Sequence, residues 1–107
     1  MSPYVLFTTL PLRPTTDKAW NTQLRASSGR VYLSRHALTR TRERFPETRH
    51  LSDSDLAARA SPWLSKALVI RSHLRGEWRL FCKDTGMVFV VRSMGLAGCI
   101  VATVLRA

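Results

Sequence analysis

The chain of 107 residues has the length of a single domain, and 17 basic residues against 7 acidic ones give it a net charge of +10. A chain of this length can bury a core without disulfides. Its two cysteines, Cys82 and Cys99, lie in apolar runs and lack metal-binding spacing. Both cysteines are therefore expected to be buried, inert thiols rather than a disulfide or metal ligands, and no metal or cofactor is expected.

The charge predicts the kind of partner. Arginine supplies 14 of the basic residues and lysine 3, and the planar guanidinium group suits phosphate recognition. Nucleic acid is the first expectation, and an acidic protein or an anionic membrane is the second. The apolar stretch 87–105 is interrupted by Arg92 and by glycines, so its pieces are too short to cross a membrane. The first residues do not resemble a signal peptide, and we expect a cytoplasmic protein with no membrane partner.

The first third of the chain predicts two short strands around a helix. Residues 4–10 are rich in β-branched and aromatic side chains, which is typical of a strand. Thr15 or Thr16 can cap a helix over 17–26. A Ser-Ser-Gly linker follows, and residues 31–33 form a very short strand.

The segment 34–46 predicts a helix with two different sides. Ser34 is a suitable N-cap and Pro46 ends the helix. One side can pack on a core, and it carries Ala37, Leu38, Thr41 and Phe45. The opposite side carries a cationic stripe at spacing i, i+4, i+8, which consists of His36, Arg40 and Arg44, with Glu43 beside it. An anion laid across the stripe would relieve the mutual repulsion of its members; an ordinary solvated face is the alternative.

The remaining pattern predicts a second helix and then a sheet. Ser52 can cap the helix, and Pro62 should begin a separate turn because proline is unfavourable inside a helix. Four strands with short connections are expected at 67–74, 77–83, 87–92 and 99–106. The fold class is therefore α+β, with helices packed on one face of a four-stranded antiparallel meander sheet. Several side chains are placed to make the other face basic, namely Arg71, Arg79, Lys83, Arg92 and Arg106.

The central helix resembles the signature of a small RelE/ParE-like family, known mainly as a domain of unknown function. The signature runs His-Ala-x-x-Arg-x-x-x-Arg, and here it comprises His36, Ala37, Arg40 and Arg44. The extended lead-in 32–34, the second helix and the final Ala-Thr-Val run fit the same pattern. The resemblance covers residues 31–106. It implies a RelE-like α+β domain at 31–107 and an N-terminal extension at 1–30, within one compact domain.

Relatives with that fold include toxin ribonucleases and modules that only bind a partner. The resemblance therefore implies a toxin-type protein of a toxin–antitoxin pair, held in check by an acidic antitoxin. Toxin ribonucleases of this kind often carry His or Tyr near the C-terminal end, where this chain has only Thr103 and Arg106. Catalysis would have to rest on His36 and arginines.

The stripe suits metal-free cleavage of RNA. Such a reaction needs a base for the 2′-hydroxyl, an acid for the leaving oxygen and cations around the phosphate. His36 is the candidate base, and Glu43 can orient it or carry the second proton. Arg40 and Arg44 are candidates for holding the phosphate. Further phosphate contacts are expected on the sheet, from Arg79, Lys83, Arg92 and Arg106.

The sequence leaves two functions open. One is a ribonuclease of toxin type that acts on RNA in translation. The alternative is a non-catalytic basic module, of phage or mobile-element origin, that binds nucleic acid or an acidic host protein and inhibits it. The ribonuclease requires His36 beside a basic groove, whereas the binding module requires only the charge.

Overall fold

The computed structural model describes residues 4–12, 15–73 and 76–107, with side chains for all of these except 4–7 and 71–73. Within these residues, helices and strands follow one another in this order: β1 (Tyr4–Thr9), α1 (Lys18–Ala26), β2 (Arg30–Ser34), α2 (Arg35–Arg44), α3 (Asp53–Lys66), β3 (Leu68–His73), β4 (Glu77–Cys82), β5 (Met87–Ser93) and β6 (Cys99–Arg106). Short 3-10 turns at Pro46–Thr48 and Gly95–Ala97 complete the connections. Leu74 and Arg75, predicted to end one strand and begin a turn, lie outside the described residues.

The strands form one curled, mixed sheet in the order β1-β2-β6-β5-β4-β3. The predicted four-stranded antiparallel meander is therefore wrong. The segment from β3 to β6 does pair as consecutive antiparallel strands. Beyond β6, however, β2 adds in parallel and β1 adds antiparallel to β2. Short connections could not predict the parallel pair, because it joins residues 31–33 to residues 99–101.

The three helices cover one face of this sheet and share one core. Trp20 and Leu24 of α1 are buried in the same cluster as side chains from α2, α3 and the strands β2, β4, β5 and β6. Trp20 meets Trp78 of β4 edge to face, with 5.1 Å between ring centroids. The residues before position 31 therefore contribute to the same sheet and core as the rest of the chain.

The apolar side of α2 is buried as predicted. Leu38 and Phe45 both lie in the core, and Phe45 is only 1 % exposed. Ser34 caps the helix, since its Oγ accepts from the backbone N–H of Ala37 at 3.0 Å. The opposite side of α2, which carries His36, is left toward solvent.

Two helix boundaries differ from the expectation. The cap of α1 is Asp17 itself, whose Oδ1 accepts from the N–H of Trp20 at 2.9 Å, so neither threonine caps the helix. The helix α3 continues through Pro62, and the predicted break there is wrong. Ala60 and Leu64 are buried on either side of this proline. Burial of that face offsets the roughly 3 kcal/mol that an interior proline costs.

Candidate nucleic-acid interface along α2

The helix α2 lies along the edge of β6 beyond Val101, beside which no strand lies in the described part of the chain. The pairing of β2 with β6 ends at Leu33 and Val101, and at Ser34 the chain turns into α2. Ser34 Oγ donates to the carbonyl of Ala102 at 3.0 Å, and Arg44 Nη1 donates to the carbonyl of Val104 at 2.8 Å. Both ends of the helix are thereby fixed against alternate carbonyls of β6, which sets the position of the cationic stripe.

Arg40 joins the other polar side chains on the exposed side of α2. Its Nη1 lies 2.7 Å from Glu43 Oε2, and its Nε donates to His36 Nε2 at 3.5 Å. The side chains of Arg40 and Glu43 are 40 % and 52 % exposed. A guanidinium group has five N–H donors, and within the described residues these two contacts use two of them, which leaves three for an incoming anion.

The contact between Arg40 and His36 defines which imidazole nitrogen can act as an acceptor. A guanidinium group only donates hydrogen bonds, so Nε2 of His36 accepts here with its lone pair. The ring proton is then assigned to Nδ1. An imidazole in this form can take up a proton at Nε2, next to the place where Arg40 would hold an anion.

Arg44 stands on the same stripe but has a structural partner. Its guanidinium Nη1 donates to the carbonyl of Val104, and its own carbonyl oxygen accepts from Arg106 Nη1 at 2.5 Å. The guanidinium carbon of Arg106 lies 4.8 Å from the ring centroid of Phe45. A cation at the C-terminal end of a helix also suits the helix dipole. Arg44 and Arg106 therefore hold the end of α2 onto β6.

The structure places one of the predicted basic residues of the sheet, Arg106, on a different face from Arg79 and Arg92, and the side chain of Arg71 lies outside the described residues. Arg106 stands opposite Met87, a core residue, and thus lies on the helix side of the sheet rather than on the predicted basic face. Arg79 and Arg92 alternate with core positions and lie on the face away from the helices. Arg92 Nε is 3.6 Å from Glu77 Oε1. Lys83 is exposed in the turn after β4.

A second pair of arginines on α2 binds an acid that the sequence analysis did not single out. Asp53, in the first turn of α3, accepts from Arg42 Nη2 at 2.7 Å and from Arg35 Nη1 at 3.1 Å. Arg42 Nη2 also donates to the carbonyl of Leu51 at 2.9 Å. The hydrogen bond from Arg42, aided by Arg35 and opposed by burial, lowers the pKa of Asp53. These arginines join α2 to α3. Their charge is visible in the sequence, but the sequence does not show that Asp53 is their partner.

Other chemistry is limited among the residues that the structure describes. They contain no group of three His, Cys, Asp or Glu side chains that could hold a metal ion. Both cysteines are buried, as predicted. Burial raises the pKa of the Cys99 thiol to about 12, although a hydrogen bond with Gln23 opposes the shift, so the reactive thiolate is suppressed. No helix in the described part of the chain is long and apolar enough to cross a membrane.

No protein family, curated protein or solved structure matches this chain. The RelE/ParE-like assignment therefore remains a proposal that rests on the helix signature.

Proposed function

We propose that the protein binds RNA along the exposed side of α2, with Arg40 as the principal phosphate contact. The observation that supports this is the position of Arg40, which is held between His36 and Glu43 yet keeps three guanidinium N–H groups for an anion. A phosphate oxygen bound there would be within the reach of His36. Arg44 contributes mainly by holding the helix in place.

Three features favour RNA as the polyanion. The net charge of +10 provides the general attraction to a phosphodiester backbone. The sequence His36-Ala37 followed by Arg40 and Arg44 supports a RelE/ParE-like toxin fold, a group that includes RNA-directed toxins. The imidazole beside Arg40 also has a reacting partner in RNA, the 2′-hydroxyl, which DNA lacks.

The test is binding to a fluorescein-labelled 2′-O-methyl RNA of about 12 nucleotides, followed by anisotropy over a salt series. This RNA cannot be cleaved through its 2′-oxygen, so binding is measured alone. Arg40→Gln should weaken binding and reduce the slope of log K against log salt by about 0.7, the value for one phosphate contact on a single strand. Arg59→Gln is the matched control, because Arg59 is an exposed arginine on α3 with no ion pair among the described residues.

The control should behave like the wild type. Equal effects of the two substitutions would show that only total charge matters, and the assignment to α2 would be wrong. Absence of binding at low salt would remove RNA as the partner.

Metal-free ribonuclease activity is the second candidate, and the contact between His36 and Arg40 favours it. With Nε2 as the lone-pair nitrogen, His36 can accept the 2′-hydroxyl proton while Arg40 holds the phosphate. The attacking 2′-oxygen would displace the 5′-oxygen of the next nucleotide, giving a cyclic phosphate. Glu43 is the ion-pair partner of the same guanidinium group and holds Arg40 in place, while the leaving 5′-oxygen takes its proton from water.

Cleavage of an unmodified RNA in the presence of a chelator separates the two candidates. His36→Gln should reduce the cleavage rate by about 10²–10⁴, the usual contribution of a general base. Its affinity for the 2′-O-methyl RNA should stay within a few-fold of the wild type. If wild-type protein cleaves no RNA while His36→Gln loses binding, the protein is a binding module and His36 is a recognition residue.

A further inference from the structure

An apolar row crosses the sheet face that the helices leave uncovered. In the strand register, Leu105 stands opposite Val88, Val88 opposite Phe81, and Phe81 opposite Leu68. Each of these residues alternates with a neighbour that belongs to the helix-side core, so the row lies on the other face. We call these four residues the outer row. It extends over β6, β5, β4 and β3.

The accessible part of this surface lies toward the β3 edge. Leu68 is 60 % exposed, and Ile70 on the same edge strand is 55 % exposed. Phe81 and Leu105 are half-buried, and Val88 between them is nearly covered by its neighbours. Clustered apolar side chains on an edge strand are unusual on a free protein surface and are typical of an interaction site.

Positive charge borders the outer row. Arg79 precedes Phe81 by two positions on β4 and lies on the same face, and Lys83 follows it by two positions and is exposed. Glu77, the acid two positions before Arg79 on β4, forms an ion pair with Arg92. The surface thus combines an apolar centre with a basic border.

We propose that this face docks an acidic amphipathic helix of another protein. Four neighbouring strands span three spacings of about 4.8 Å, so the outer row is about 14 Å long. That length corresponds to nearly three turns, or about ten residues, of an α-helix. A helix with one apolar stripe can bury Leu68 and Phe81, and acids beside the stripe can reach Arg79 and Lys83.

The charge distribution favours this occupant over the two obvious competitors. A second copy of the chain would bring a further net charge of +10 and the same border of cations to the interface. RNA would find one aromatic ring, Phe81, in a row otherwise made of aliphatic side chains, which cannot stack bases as aromatic rings do. The inference does not depend on RNA binding by α2, since it uses a different surface.

The test uses a labelled synthetic helix of about 16 residues, with leucines at i, i+3, i+4 and i+7 spacing and glutamates on the flanks. The control peptide has lysine in place of every glutamate. The acidic peptide should bind, and the lysine peptide should not. Leu68→Ser should weaken binding of the acidic peptide about tenfold, the loss expected when one leucine is no longer buried.

Leu96→Ser is the matched control substitution, because Leu96 is 75 % exposed in the turn before β6 and is not part of the outer row. It should leave the affinity unchanged. Arg79→Gln should weaken binding in a salt-dependent way and gives a second measurement that does not rely on an apolar substitution.

Binding of both peptides alike, or equal effects of Leu68→Ser and Leu96→Ser, would overturn the proposal. A homodimer that Leu68→Ser dissociates would also overturn it. RNA that competes with the acidic peptide for this face, and whose binding there is unchanged by Arg40→Gln, would overturn it as well.

Discussion

Arg44 and Val104 are joined by a hydrogen bond of 2.8 Å, in which the guanidinium Nη1 donates to a β6 carbonyl that has no strand partner from β2. One turn earlier on the same stripe, the contacts of Arg40 within the described residues go to two exposed side chains of its own helix, His36 and Glu43. Two arginines that look equivalent in the sequence therefore have different roles. The first holds the helix to the sheet, and the second is free to exchange its partner for a ligand.

This difference predicts opposite effects on stability and binding. Arg44→Ala should lower the free energy of unfolding by about 1–2 kcal/mol, because a charged donor to a partly buried carbonyl is lost. Arg40→Ala should lower it by less than about 0.5 kcal/mol, the usual contribution of an exposed pair at i, i+3. Urea unfolding followed by circular dichroism measures both. Equal losses would show that the contact with Val104 contributes no more than a surface ion pair.

The pKa of Asp53 predicts a pH dependence of stability. Its folded pKa lies below the ordinary value of 3.8 because of the hydrogen bond from Arg42, with Arg35 assisting. The carboxylate therefore stabilises the fold above that ordinary value, and the stabilisation disappears as the pH falls through the folded pKa. Asp53→Asn should lower stability near pH 7 by up to about 1 kcal/mol, since the pair is partly exposed. Well below pH 3.8 it should have little effect.

Asp55→Asn is the control for this prediction. Asp55 also stands in the first turn of α3 and meets the same helix dipole, but it has no ion pair among the described residues. Unfolding curves across the pH range should therefore show a larger change for Asp53→Asn. Identical curves would mean that the dipole, and not Arg42, causes the effect.

Phe45 should be a large determinant of stability because it is 1 % exposed and lies under the guanidinium group of Arg106. Phe45→Ala should cost about 3–5 kcal/mol through lost burial and the cavity left behind. Phe45→Leu fills most of that space but removes the ring, so its cost should be smaller and should include the lost cation–π contact of about 0.5–1 kcal/mol. The same urea unfolding experiment compares them. A cost for Phe45→Ala below that of Arg44→Ala would contradict the packing described here.

Much of the local structure could be predicted from the sequence. The cap at Ser34, the buried side of α2 and the turns between β4 and β5 depend on residues a few positions apart, whose geometry the helix and strand periods determine. The grouping of His36, Arg40 and Glu43 on one exposed side follows from the same period. The break at Pro62 was predicted wrongly because local preference was weaker than burial of residues on both sides of the proline.

The sequence by itself determined the α+β class, the sides of α2 and the strong positive charge, because these follow from composition and short-range spacing. The tertiary structure alone decided that β2 pairs in parallel with β6, that Arg44 binds Val104 and that Arg106 turns to the helix side of the sheet. These contacts join residues some 60 positions or more apart, such as Arg44 and Val104. Their partners depend on the order and register of strands that meet only when the whole core is formed.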